Sequence, residues 1–324
     1  MPKDNYIFEL SPDVTRRPVS YETRYGIGIA ADLYAPADFD ETAQYPALIV
    51  GAPYGGVKEQ GPGIYANELA KQGFVVLTFD PAWNGASEGG ALHLSSPEQM
   101  VEDFMAAVDF LGTRPFVARE QIGAIGICGS GGFALSAAKI DPRIKAVATV
   151  SMYDISRMMK KGFGDSLTDA DRQAALKTLA EQRWSDFETG DAAMTDRGAP
   201  LEWDAGANPV GAEFGEFYAR PRGYHPRSTT QFTMTSSPAW MNFALLDDLD
   251  WLAGRPLLLV AGDEAHSLYF SEDVFDEAPE PKELFKVADC NHVDLYDRLD
   301  KIPFAKLVSF FGAAFAEGKA LAAE

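Results

Sequence analysis

The chain has 324 residues, of which 46% are hydrophobic and 23% charged, with a formal net charge of −20. That length can bury a large core, and the acidity excludes nucleic acid and anionic membrane surfaces as partners. The opening MPKDNYIFELSPDV has no apolar signal core and no stretch has the apolar length to cross a bilayer, so a cytoplasmic protein is expected. The two cysteines, Cys128 and Cys290, make no disulfide framework and are expected as free thiols.

In chain order, Val19–Arg24 and Ile27–Tyr34 read as an antiparallel lead-in joined near Gly26. Apolar runs follow at Ala47–Val50, Val75–Phe79, Ile122–Ile127, Ala146–Ser151, Leu257–Val260 and Leu284–Ala288. They alternate with helical patterns, which argues for an α/β fold with a mainly parallel central sheet flanked by helices. The clearest helix is Pro97–Leu111. Ser96 is placed to cap it, Pro97 fits its first position, and Met100, Phe104, Val108 and Leu111 make one apolar face.

Between Asp154 and Trp251 the strand rhythm stops. Ala170–Arg183 reads as a helix, Thr189–Pro209 is rich in Gly, Ala and Asp, and Pro221–Ser237 is rich in Pro, Ser and Thr. We expect a core made of residues 1–153 and 252–324, with a mostly helical cap of residues 154–251 inserted in it and facing substrate. Within the cap, Arg222 clusters with Arg220, Arg227, Tyr218 and Tyr224. Such a group either grips a substrate carboxylate or pairs internally with the acidic core.

The segment Gly126-Ile127-Cys128-Gly129-Ser130-Gly131-Gly132 ends an apolar run and opens a helical one. Strand, sharp turn and helix make a nucleophile elbow, with small residues where the backbone is crowded. Strand register puts Cys128 at the apex. Ser130 is the rival nucleophile and otherwise faces substrate. Beside a base and at a helix N-terminus, the Cys128 thiol is expected to lose its proton more readily than usual.

The expected base is His292, on the loop after the last strand, in the chain order nucleophile–acid–His of α/β-hydrolases. The acid is either Asp263, after Leu257–Val260, or Asp154, after Ala146–Ser151; either residue also serves as a turn or helix cap. The N–H groups of Gly129 and Tyr54, the latter in Gly51-Ala52-Pro53-Tyr54-Gly55-Gly56, are the expected oxyanion donors. Ser130, Tyr153, Tyr224 and Arg222 are the candidate substrate-binding residues. This chemistry calls for no cofactor, and no Cys/His spacing suggests a metal. The partners expected are a small-molecule substrate and, in a homodimer, a second copy of the chain.

The elbow resembles that of dienelactone-hydrolase-like α/β-hydrolases, which carry Gly-x-Cys-x-Gly-Gly. Segments such as Gly55-Gly56-Val57-Lys58-Glu59-Gln60, Tyr218–Pro226 and His292-Val293-Asp294-Leu295-Tyr296-Asp297 are similar to an uncharacterised-hydrolase and polyketide-transferase-like branch of that superfamily. The resemblance implies the α/β-hydrolase fold and a Cys/Ser–His–acid site. The long insertion departs from dienelactone hydrolases, so their lactone specificity does not carry over. The expected activity is hydrolysis of an ester, lactone or thioester through an acyl-enzyme. The alternatives are acyl transfer by the same intermediate and a non-catalytic binding protein of the same fold.

Overall fold

The computed structural model describes residues 5–197 and 209–321. Part of the Thr189–Pro209 stretch therefore lies outside the described residues. The strands are β1 (Val14–Glu22), β2 (Gly28–Pro36), β3 (Tyr45–Gly51), β4 (Val75–Phe79), β5 (Val117–Ile127), β6 (Ala146–Val150), β7 (Leu257–Gly262) and β8 (Lys282–Val287). They form an eight-stranded sheet in the order β1-β2-β4-β3-β5-β6-β7-β8. β1, β2 and β4 pair antiparallel. The remaining pairs, from β4–β3 to β7–β8, are parallel. This is the α/β-hydrolase architecture.

The central strands are continuous apolar runs because helices cover both faces of the sheet. Every residue of β4 and of β6 is buried. The helices beside them are α1 (Gly61–Ala70), α2 (Pro97–Gly112) and α3 (Gly129–Ile140). The Ser96 hydroxyl caps α2 by accepting from the Gln99 N–H at 3.4 Å, and Met100, Phe104, Val108 and Leu111 are all buried. On one face Phe104 of α2 and Ser130 of α3 press on Gly51; on the other, Phe311 from the C-terminal helix presses on Gly123. β5 begins earlier than its apolar run because Val117 pairs with Tyr45 ahead of a register shift that leaves Arg119 and Glu120 exposed.

Between β6 and β7 the chain is helical: α4 (Ile155–Lys161), α5 (Asp169–Thr189), α6 (Pro209–Tyr218) and α7 (Ser237–Met241). α8 (Leu268–Glu277) joins β7 to β8, and α9 (Asp294–Asp297) and α10 (Phe304–Leu321) close the chain. No helix among the described residues is long and apolar enough to cross a membrane.

A buried carboxylate ties the loops above the sheet together. Asp80, at the end of β4, accepts the Lys58 N–H at 2.8 Å and the Ala86 N–H at 2.7 Å. The Lys58 ammonium reaches Asp80 at 3.1 Å and Glu59 at 2.7 Å. Glu59 in turn pairs with Arg227, and Gln60 donates to the Gly223 carbonyl at 2.6 Å. Burial pushes the Asp80 carboxyl up, and the Lys58 charge opposes it. Removing one partner of such a cluster leaves a charge buried and unpaired. Lys58→Met is therefore expected to lower stability by about 3–5 kcal/mol in denaturant unfolding.

Candidate active site

Cys128 joins the end of β5 to the start of α3 with φ 55 and ψ −122. A non-glycine residue holds this conformation only when its surroundings over-determine it. They do. The Cys128 N–H donates to the Val150 carbonyl at 2.9 Å, and the Cys128 carbonyl accepts from Gly131 at 2.9 Å and from Tyr153 at 3.0 Å. A Cβ on Gly126 would lie 2.1 Å from the Ser130 carbonyl oxygen, and one on Gly131 would lie 2.6 Å from the Met152 Cβ. Glycine is required at Gly126 because backbone passes backbone there, and at Gly131 because Met152 packs against it.

The turn aims the buried Cys128 sulfur at three polar groups, the Tyr54 N–H, the Gly129 N–H and the Tyr296 hydroxyl. Tyr54 is held by its ring, which stacks on Phe232 at 4.0 Å, and by its hydroxyl, bonded at 2.6 Å to Ser95. Trp240 donates to the same Ser95 oxygen at 2.7 Å. Burial raises the thiol above its ordinary value, with the Tyr296, Tyr54 and Gly129 donors opposing. The sequence expectation of a readily ionised thiol is thus reversed: desolvation outweighs the local donors.

His292 is wholly buried, and its ring meets the sulfur's surroundings through Tyr296. His292 Nε2 and the Tyr296 hydroxyl are 2.8 Å apart, while Nδ1 lies 2.6 Å from the Ser267 Oγ. Burial, and then the charge of His266, push the imidazole well below its ordinary value. His266 stacks on it, with ring centroids 4.7 Å apart.

Neither expected acid meets this imidazole. β7 runs on to Gly262, where a Cβ would lie 2.0 Å from the Cys290 carbonyl oxygen. That close crossing leaves Asp263 exposed, with its N–H donating to Val287 at 3.0 Å and its Oδ1 accepting from Cys290 at 3.4 Å. Asp154 is the N-cap of α4, accepting from the Arg157 N–H at 2.9 Å. A serine therefore occupies the position at Nδ1 where an acid was expected.

The other candidate residues separate in the same way. Ser130 lies in the first turn of α3 with its hydroxyl donating to the Ala52 carbonyl, behind the elbow. Arg222 takes the internal option: its guanidinium spans Asp297 at 2.7 Å and Asp294 at 3.4 Å. Tyr224 is half-buried and is not part of the cavity wall. Tyr153 does line the cavity, which holds about 330 Å³ and has Cys128 and Tyr296 in its wall. Ile155, Met158, Met159, Phe214, Tyr218 and Phe232, all between β6 and β7, supply most of its apolar wall.

The sequence reading missed Tyr296 and Ser267. Tyr296 carried a signal, since it stands at i+4 from His292, where a turn of helix brings side chains together. Ser267 carried none; it reaches His292 only because of where β7 stops.

Residues 25–284 match the family described as X-Pro dipeptidyl-peptidase (S15 family). The chain is 46% identical to PA2218 of Pseudomonas aeruginosa over 94% of its own length and 82% of that protein. The crystal structure of PA2218 superposes with a TM-score of 0.93, covering 97% of this chain and 98% of that one. A thiohydrolase of Aspergillus aculeatus is 26% identical over 90% of this chain and 89% of that protein. The α/β-hydrolase GrgF from a Penicillium species shares the fold at 20% identity, with a TM-score of 0.75 over 93% and 99% of the two chains.

Ser130→Ala is expected to cost about 1–2 kcal/mol, because the Ala52 carbonyl loses its donor. It should leave the labelling of Cys128 by an activated ester unchanged, as read by intact mass spectrometry.

Proposed function

We propose that this chain, which belongs to the X-Pro dipeptidyl-peptidase (S15) family, is a hydrolase that opens a thioester, ester or lactone through an acyl group carried on Cys128. One observation carries the reading. A cysteine sulfur sits at the apex of a strained turn, under two backbone N–H groups, in the wall of an apolar cavity. The name of the thiohydrolase relative points to the same bond class. The apolar wall suits an acyl chain better than a charged peptide end.

The scheme works without a standing ion pair. The substrate carbonyl enters where the Tyr54 and Gly129 N–H groups now face the sulfur, so both donors stabilise the oxyanion as it forms. As the sulfur attacks, its proton passes to the Tyr296 oxygen and the Tyr296 proton passes to His292 Nε2. The Ser267 hydroxyl, 2.6 Å from Nδ1, is placed to accept from Nδ1–H in the tautomer this requires. The tetrahedral adduct then collapses to acyl-Cys128 with departure of the leaving group. Water, or another acceptor, releases the acyl group in a second step. No cofactor enters the scheme.

Trapping with a panel of p-nitrophenyl esters, thioesters, lactones and X-Pro anilides tests the assignment. The acyl mass is expected on Cys128 and absent in Cys128→Ala. Cleavage of X-Pro anilides alone, with no acyl group on Cys128, overturns it. Tyr296→Phe breaks the proton path and should slow acylation by roughly 10²–10⁴-fold. The pH profile is a separate check. His292 is held neutral from well below its ordinary value upward, and the thiol stays protonated above its own. Both reacting forms therefore persist through neutrality, and kcat/KM for a p-nitrophenyl ester, whose leaving group needs no acid, should be flat from about pH 6 to pH 8, without the inflection of an ordinary histidine at the base.

A further inference from the structure

A second chain of hydrogen-bonding groups lies against the first and is not used by the scheme above. Tyr153 follows β6, and its backbone N–H is fixed on the Cys128 carbonyl at 3.0 Å. Its hydroxyl lies 2.6 Å from His266 Nε2. On the far side of that ring, Nδ1 lies 3.5 Å from Glu213 Oε2 on α6. Both of these atoms are buried, and neither has a hydrogen-bond partner among the described residues. A phenol, an imidazole and a carboxylate thus stand in line, and the phenol forms part of the cavity wall beside Cys128.

We infer that Tyr153 is a second catalytic residue, which with His266 and Glu213 gives a proton to the leaving group and takes one from the acceptor. The inference rests on the acyl-Cys128 reading and adds the other half of its proton traffic. Burial and then the Cys128 charge raise Tyr153 well above its ordinary value, which suits a phenol that passes a proton on rather than holding a charge.

The steps balance as follows. The relay starts from the state in which His266 holds the proton, Nε2–H then facing the Tyr153 oxygen and Nδ1–H the Glu213 carboxylate. In acylation the S–C bond forms, and the Sγ proton passes through Tyr296 to His292. The bond to the leaving group breaks, the leaving atom takes the Tyr153 hydroxyl proton, and His266 replaces it. In deacylation the acceptor's O–C bond forms, its proton passes to Tyr153, and the Tyr153 proton returns to His266. The C–S bond breaks, and the sulfur recovers its proton from His292 through Tyr296. One positive charge has moved from one ring to the other and back.

The stacking of the rings explains why the charge is shared. Two imidazolium ions with centroids 4.7 Å apart repel, and a charge on His266 suppresses one on His292. The Glu213 carboxylate faces Nδ1 of His266 and the Ser267 hydroxyl faces Nδ1 of His292, so the two rings offer a shared proton different partners.

The test compares p-nitrophenyl butanoate, whose leaving group needs no acid, with ethyl butanoate, whose leaving group does. In Tyr153→Phe, and likewise in His266→Gln, the p-nitrophenolate burst should keep its amplitude and nearly its rate. Release of the acyl group from Cys128 and cleavage of the ethyl ester should each slow by roughly 100-fold. Hydroxylamine, which attacks without a base, should restore acyl release in both variants. Wild-type deacylation and ethyl-ester cleavage in Tyr153→Phe overturn the inference while leaving the Cys128 reading intact. Slow release that hydroxylamine does not restore also overturns it, since it marks a structural role. Absence of an acyl group on Cys128 in the unaltered protein overturns both.

Discussion

The crossing of backbone over backbone at the elbow governs the rest of the site. Gly126 lets the end of β5 and the first turn of α3 approach each other so closely that Cys128 is held at positive φ, and Gly131 makes room for Met152 after β6. That one conformation turns the Cys128 side chain off the line of the strand. It also brings the Gly129 N–H to the sulfur and leaves the Cys128 carbonyl free to fix Tyr153. The strain is offset by the buried run Gln121–Ile127 of β5 and the buried stretch Gly129–Ala138 of α3 on either side of it. A second close crossing, at Gly262 beneath the loop that carries His292, sets the position of the histidine in the same way. Two places where only glycine fits therefore set Cys128 and His292, the proposed nucleophile and base, relative to each other.

Burial decides the electrostatics. In an exposed site a cysteine and a histidine exchange a proton and stand as an ion pair. Here both lie out of water and both are pushed toward their neutral forms. Tyr296 between them is also held protonated by burial. Such a row moves charge only when a reacting carbonyl supplies the driving force. The serine at Nδ1 is consistent with this, because a buried carboxylate there would need a permanent counter-charge. The carboxylate appears one ring further out, at Glu213, where the side chain keeps some contact with solvent.

Much of this was legible in the residues. The six apolar runs gave β3 to β8, the central ones because parallel strands buried on both faces have little choice of composition, and the antiparallel lead-in gave β1 and β2. The elbow stood out because its glycines have no other use. Strand ends were less legible. β7 ran past Val260 to Gly262, which moved the position facing His292 from Asp263 to Ser267. Arg222 was legible as one of two options, and the choice between them depended on Asp294 and Asp297, which only a folded α9 brings within reach. The pairing of Tyr153 with His266 and Glu213 joins three separate segments, and no local pattern in the chain announces it.

The neutral resting thiol has a consequence for the life of the protein in an oxidising cell. Peroxide and alkylating metabolites attack thiolates far faster than thiols. A cysteine that ionises only while a carbonyl is being attacked offers such agents little to react with between turnovers. The same desolvation that lowers the thiolate fraction of Cys128 also shields it from being spent on the wrong electrophile, and the other cysteine, Cys290, is buried and not bonded to it. Selectivity for the bound acyl group over freely diffusing oxidants is thus built into the depth of the elbow.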